Sequence, residues 1–220
     1  MRVSAGPLVL QGDLNLPEAA PGLVLFAHGS GSSRFSPRNR HVARTLNRAR
    51  LATLLIDLLT PEEEEIDLRT AHLRFDIGLL AQRLVITTDW LTQQRNTQVL
   101  RIGYFGSSTG AAAALVAAVE RPETISAVVS RGGRPDLAGR ALPRVTAPTL
   151  LIVGGRDFEV AELNQAALAQ LRCEKRLVIV PDATHLFEEP GALDEVARLA
   201  RHWFEQYLVP AEAHAGRKRS

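Results

Sequence analysis

At 220 residues and 24.0 kDa the chain is long for one domain and short for two, and 45% hydrophobic with 23% charged residues is the make-up of a folded protein rather than a disordered one. Cys173 is the single cysteine, which excludes a disulfide framework and a multi-cysteine metal centre and fits a reducing, cytoplasmic setting. No apolar run approaches the ~20 residues of a membrane helix, no secretory leader opens the chain, and the net charge is only +2, so neither a membrane nor a nucleic acid is an expected partner.

Residues 1–209 read as one domain and 210–220 as a basic, solvated tail ending in Arg217, Lys218, Arg219 and Ser220. Two strand-like stretches, 3–4 and 8–16, flank Gly6-Pro7. The alternation of Leu8, Leu10, Leu14 and Leu16 predicts a half-buried edge hairpin. The continuous apolar run 23–27 reads as an interior parallel strand, buried on both faces. It runs into the small-residue loop His28-Gly29-Ser30-Gly31-Ser32-Ser33. A helix is expected over 38–50 and a strand over 51–57. Residues 58–71, with Glu62 to Glu65 in a row, read as a solvated loop, since four consecutive acids cannot converge on one metal. A long amphipathic helix follows over 74–95, with Phe75, Leu79, Leu80, Leu84, Trp90 and Leu91 as its core positions. Strands at 99–105, 125–130, 149–153 and 177–180 then alternate with helices at 109–119, 161–172 and 193–208. This alternation predicts an α/β fold with a mostly parallel sheet and helices on both faces. Ligands of such sheets bind beyond the carboxyl ends of the strands.

One of those ends reads Gly106-Ser107-Ser108-Thr109-Gly110, a G-x-S-x-G between an apolar strand and an Ala-rich helix. A serine on so sharp a turn needs small residues two before and two after it, and the turn lifts Ser108 into the crevice. Ser107 competes as nucleophile but lacks symmetric glycine flanks, and a glycine-rich turn that merely packs or binds phosphate is the plainer alternative. A serine needs a base, and His185, in Asp182-Ala183-Thr184-His185 directly after a strand, suits that part. His41, His72 and His202 fall in helical patterns, and His214 lies in the tail. The acid that orients the base is assigned to Asp157, at the end of the strand leading into Gly154-Gly155-Arg156-Asp157. Helix capping is its other reading, and Asp136 and Glu159 are alternatives. The backbone N–H groups of Thr109 and Ser30 are the expected oxyanion donors.

With these four segments the sequence resembles an α/β-hydrolase of the dienelactone hydrolase-like group, over about residues 23–208. The resemblance implies an α/β-hydrolase fold of about eight strands and hydrolysis through a covalent acyl-enzyme. Dienelactone hydrolases use a cysteine nucleophile, whereas this elbow carries Ser108 and Cys173 lies far from it in sequence. Cleavage of a small carboxylic ester or lactone is therefore the expectation, by a monomer or homodimer with no metal or cofactor. A short cap is expected, because no long insertion follows the strand at 125–130. His28, Arg34, Arg131 and Arg134 are candidate substrate contacts, the arginines for a carboxylate; solvated charges at a turn are the other reading of Arg131 and Arg134, and Arg38 and Arg40 either serve the same carboxylate or are simply exposed on the first helix. Acyl transfer to another acceptor, peroxide included, would use the same three side chains. A binding module on a hydrolase fold is the non-enzymatic alternative.

Overall fold

The computed structural model describes residues 1–210; the basic tail and His214 lie outside the described residues apart from Pro210. The backbone builds one eight-stranded sheet in the order β1-β2-β4-β3-β5-β6-β7-β8. The strands are β1 (Arg2–Ala5), β2 (Leu8–Asn15), β3 (Gly22–Ala27), β4 (Ala52–Ile56), β5 (Arg101–Ser107), β6 (Ile125–Arg131), β7 (Thr149–Gly154) and β8 (Lys175–Val180). β1 and β2 form the expected edge hairpin, and β2 joins β4 antiparallel; every later pairing is parallel. β3, β4 and β7 are buried at every position, which is why they appear in sequence as unbroken apolar runs.

Six α-helices cover the two faces: α1 (Pro37–Arg48), α2 (Pro61–Thr70), α3 (Ile77–Gln93), α4 (Thr109–Glu120), α5 (Phe158–Gln170) and α6 (Ala192–Leu208). One core lies between the sheet and α3 and α4, around Leu25, Leu54, Leu84, Tyr104 and Leu115. The other lies between the sheet and α1 and α6, around Phe26, Val42, Phe105, Val196 and Phe204. Phe26 and Phe105 stack across neighbouring strands with ring centroids 4.9 Å apart.

β3 is flanked by β4 on one side and β5 on the other. The chain leaves β3 through α1 on one face, and returns from β4 through α3 on the other. The connections diverge at this point, and a crevice opens between the carboxyl ends of β3 and β5. The His28 loop and the Ser108 turn both sit there.

Two local expectations change. Residues 58–71 are not a loop throughout: Thr60 caps α2, accepting from the Glu63 N–H while the Glu63 carboxylate accepts from the Thr60 N–H, and Pro61 opens the first turn. The acids at 62–64 lie in that first turn, where the helix dipole favours them. The long helix expected from residue 74 begins only at Ile77, because the Asp76 side chain accepts from the Leu79 N–H as its cap. Phe75 falls in a short 3-10 turn ahead of it and is 56% exposed, so it is not a core residue.

Candidate active site

Ser108 joins β5 to α4 with φ 50° and ψ −123°, a backbone conformation that side-chain-bearing residues rarely adopt. The flanking glycines explain how the turn survives. A Cβ on Gly106 would lie 2.4 Å from Ala111 Cα, and one on Gly110 would lie 2.4 Å from the Ala27 carbonyl oxygen. The spacing is thus a steric requirement of packing α4 against β3 and β5. The Ser108 N–H donates to the Arg131 carbonyl at 3.3 Å, and the Ser108 carbonyl accepts from Arg134 and Ala111 N–H groups at 3.1 Å each. Ser107, the competing nucleophile, is 2% exposed and donates its hydroxyl to Asn39 Oδ1 on α1 at 2.9 Å. Its side chain ties the elbow to α1 rather than facing the crevice.

Asp157 and His185 meet, with His185 Nδ1 standing 2.6 Å from Asp157 Oδ2. Asp157 occupies the residue before α5, where capping was the other reading, yet its side chain makes no cap bond. The two loops are stitched together by backbone: Gly155 N–H donates to the Val180 carbonyl at 2.8 Å, and Arg156 N–H to that of Ala183 at 2.9 Å. A Cβ on Gly154 would lie 2.4 Å from the Ala183 carbonyl oxygen, so glycine is required there. Beyond the histidine, Phe187 turns back with φ 56° and buries its ring, anchoring the loop. The ring of His185 lies beside Gly132, which directly follows the Arg131 carbonyl that holds the Ser108 N–H. Asp136 is instead paired with Arg134, and Glu159 is exposed.

The His28 loop comes against the elbow, and a Cβ on Gly29 would lie 3.0 Å from Ser108 Cβ. The Ser30 amide, however, is not free as expected. It donates to the Thr109 hydroxyl at 3.0 Å. Thr109 itself is 4% exposed at the first position of α4.

Of the four candidate substrate contacts, His28 lines the cavity beside its own loop, while the three arginines are engaged or buried within the protein. His28 accepts the Leu58 N–H at Nε2, 3.0 Å, which leaves Nδ1 as the donor to the Gly29 carbonyl at 2.9 Å. Its pKa is lowered by desolvation, against the opposing pull of that carbonyl, Asp57 and Glu64, and both ring nitrogens are spent within the protein. Arg34 is bonded to Asp57, and Arg134 makes a two-point contact with Asp136 at 2.9 and 2.7 Å. Arg38 pairs with Glu188 and Arg40 with Asp13. Arg131 is buried in the α1 and α6 face, 5.9 Å from the Phe187 ring centre, and burial followed by the nearby Arg38 charge lowers its pKa to about 10.

A cavity of about 180 Å³ adjoins the His28 loop, lined by His28, Ser30, Leu58, Glu64, Leu68 and Leu80 among others. Its cover is α2, which follows β4. After β6, where a short cap is expected, the chain has short 3-10 turns over Pro135–Arg144. The capping-box signature Thr60-x-x-Glu63, with proline between, was the available signal for α2. Asp67, the buried residue of α2, accepts from the Leu73 and Arg74 N–H groups and from Arg74 Nε, at 2.7, 3.0 and 2.6 Å. These bonds hold the cover to the segment before α3.

By fold and elbow this is an α/β-hydrolase. Residues 40–208 match the Dienelactone hydrolase family, and the chain belongs to it. A solved dienelactone hydrolase from Anabaena variabilis ATCC 29413 is 69% identical, covers 94% of this chain and 96% of its own, and superposes with a TM-score of 0.93. A lidless α/β serine hydrolase from Xanthomonas campestris shares the fold at 22% identity and TM-score 0.75, over 96% of this chain and 95% of that one. Among curated proteins, a Mycobacterium tuberculosis H37Rv protein named "Putative phosphoribosyl transferase" is 58% identical over 208 residues. That match covers 94% of this chain but 46% of the relative, so the chain spans about half the length of that protein.

Proposed function

We propose that the chain is a serine hydrolase that cleaves a small carboxylic ester or lactone through a covalent acyl-enzyme. The observation that carries the reading is the 2.6 Å contact of His185 with Asp157 on loops adjoining the strained Ser108 turn. Asp157 accepts a hydrogen bond from His185 Nδ1–H, which leaves Nε2 with a lone pair for the Ser108 hydroxyl. As the Ser108 oxygen bonds to the acyl carbon, its proton passes to Nε2, and the carbonyl π pair moves onto oxygen. The Thr109 N–H, at the start of α4, faces that charge. Collapse expels the alcohol, protonated by His185. Water then repeats the sequence with His185 as base and releases the acid.

The cavity beside the proposed oxyanion loop suits a compact acyl or alcohol group, with leucines and Glu64 among its lining residues. Acyl transfer to a different acceptor uses the same steps until water enters, and trapping products with added alcohol or peroxide separates the two. The presence of all three side chains argues against a non-catalytic module. Phosphoribosyl transfer is not carried over from the curated relative, because more than half of that protein lies outside the match. Among the described residues no helix is long and apolar enough to cross a membrane, and the lone half-buried Cys173 suits a cytoplasmic setting.

The test is covalent labelling with a fluorophosphonate, read by intact mass, beside hydrolysis of 4-nitrophenyl acetate. One adduct on the wild type, missing from Ser108→Ala and His185→Ala together with turnover, is the expected result. Wild-type turnover in Ser108→Ala would overturn the mechanism.

A further inference from the structure

We propose that Thr109 serves the oxyanion with two donors, its main-chain N–H and its side-chain hydroxyl, and that the hydroxyl acts in place of the Ser30 amide. This rests on the serine-hydrolase reading above and names a residue for it.

A threonine hydroxyl has one proton and two lone pairs. One lone pair of Thr109 accepts the Ser30 N–H at 3.0 Å. The proton has no acceptor among the described residues, although Thr109 is only 4% exposed. Inside a helix such a proton would go to the carbonyl one turn back. Thr109 is the first residue of α4, and the chain behind it is β5 and the Ser108 turn, so no such carbonyl exists. The hydroxyl therefore holds an unspent proton in a buried place beside the nucleophile. A Cβ on Gly29 would lie 3.0 Å from Ser108 Cβ, so the loop and the elbow meet at this junction.

The Ser30 N–H cannot serve an oxyanion while it serves Thr109. Accepting that bond polarises the hydroxyl and makes it a better donor. The chain Ser30 N–H to Thr109 O–H to substrate oxygen thus delivers the loop's dipole through the side chain. When the Ser108 oxygen attacks, the carbonyl π pair becomes the oxyanion lone pair, and the Thr109 proton hydrogen-bonds to it without transfer. The Ser108 proton still goes to His185. When the oxyanion collapses, that bond weakens and the network returns to its resting form. Thr109 touches the reacting oxygen in this scheme and so is a catalytic residue.

The test compares Thr109→Val, which keeps the shape and removes the hydroxyl, with Thr109→Ser, which keeps the hydroxyl. With 4-nitrophenyl acetate, Thr109→Val should lose about 10²–10³ in kcat with KM near the wild-type value, the usual cost of one oxyanion donor. Thr109→Ser should restore most of it. Affinity for 1-butaneboronic acid, whose serine adduct places an oxygen at the oxyanion position, should fall in step with kcat. Melting curves by circular dichroism check folding, and Thr109→Ala replaces the valine variant if that does not fold. A hydroxyl-free variant with wild-type kcat would show a bystander, and a faster one would show that the hydroxyl merely plugs the site; either overturns the proposal. Fluorophosphonate labelling separates the layers. A labelled wild type with an unaffected Thr109→Val sinks only the role of Thr109. An unlabelled wild type sinks the serine-hydrolase reading and this inference with it.

Discussion

His185 and Asp157 lie 28 residues apart in sequence, yet His185 Nδ1 is 2.6 Å from Asp157 Oδ2. The parallel pairing of β7 with β8 brings this about, since both residues follow the carboxyl ends of adjacent strands. The carboxylate is mostly buried while the imidazole stays 39% exposed. A carboxylate acceptor at Nδ1 fixes the tautomer in which Nε2 is the base.

Asp157→Asn should therefore keep the fold and lose the chemistry. An amide nitrogen facing Nδ1 favours the wrong tautomer, and kcat for 4-nitrophenyl acetate should fall by about 10⁴ with little change in KM. Because the Asp157 side chain makes no cap bond to α5, the thermal melt should stay close to that of the wild type. A variant that turns over at wild-type rate would remove Asp157 from the mechanism.

The central strands were legible because burial on both faces leaves an unbroken apolar run, as in Leu23 to Ala27. The elbow was legible because sterics, not chemistry, impose its glycines. The cover helix α2 was not, since only Asp67 on it is buried. Its sequence carries caps at its start and no apolar stripe, so periodicity had nothing to detect. Nor could the sequence show that Arg34 would be bonded to Asp57, 23 residues away. Arg134 and Asp136, two apart, could have been paired by inspection. The engagement of the Ser30 amide depends on a side-chain rotation at Thr109, which no residue pattern encodes.

His28 makes stability depend on pH in a stated direction. Its pKa is lowered in the folded protein from an ordinary 6.5, by desolvation first. Between the two values the unfolded chain binds more protons, so stability rises with pH. The contribution is intact above about pH 6.5 and drains as pH falls below it, at no more than about 1.4 kcal/mol per pH unit for one group. The protonated ring would also lose the Leu58 N–H bond at Nε2, which joins the His28 loop to the end of β4. Urea melts at pH 7.5 and 5.5 should show a larger loss for the wild type than for His28→Gln, which cannot titrate. Equal losses would show that other groups carry the acid sensitivity.

Arg131 is a buried cation with no ion pair among the described residues. It is 7% exposed, its Nε meets no acceptor among the described residues, and the like-charged Arg38 adds to the burial that lowers its pKa. The Phe187 ring at 5.9 Å offers a weak cation–π contact at the limit of its range. Lone charges are expensive to bury, and apolar replacement of buried ionic groups is often neutral or stabilising. Arg131→Met keeps the length and packing of the stem and removes the charge. It should gain about 1 kcal/mol, which for a domain of this size raises Tm by about 2–4 °C. Arg131→Ala should do the opposite, because truncation leaves a cavity against Phe187 that outweighs the relief of charge. Arg38→Gln should give part of the methionine gain, since it removes the repulsion while leaving the guanidinium desolvated. Differential scanning calorimetry of the three variants reads all of this. A methionine variant that melts well below the wild type would mean that the guanidinium has an acceptor in solution, and the charge at the end of β6 would then be a support of the fold rather than a cost to it.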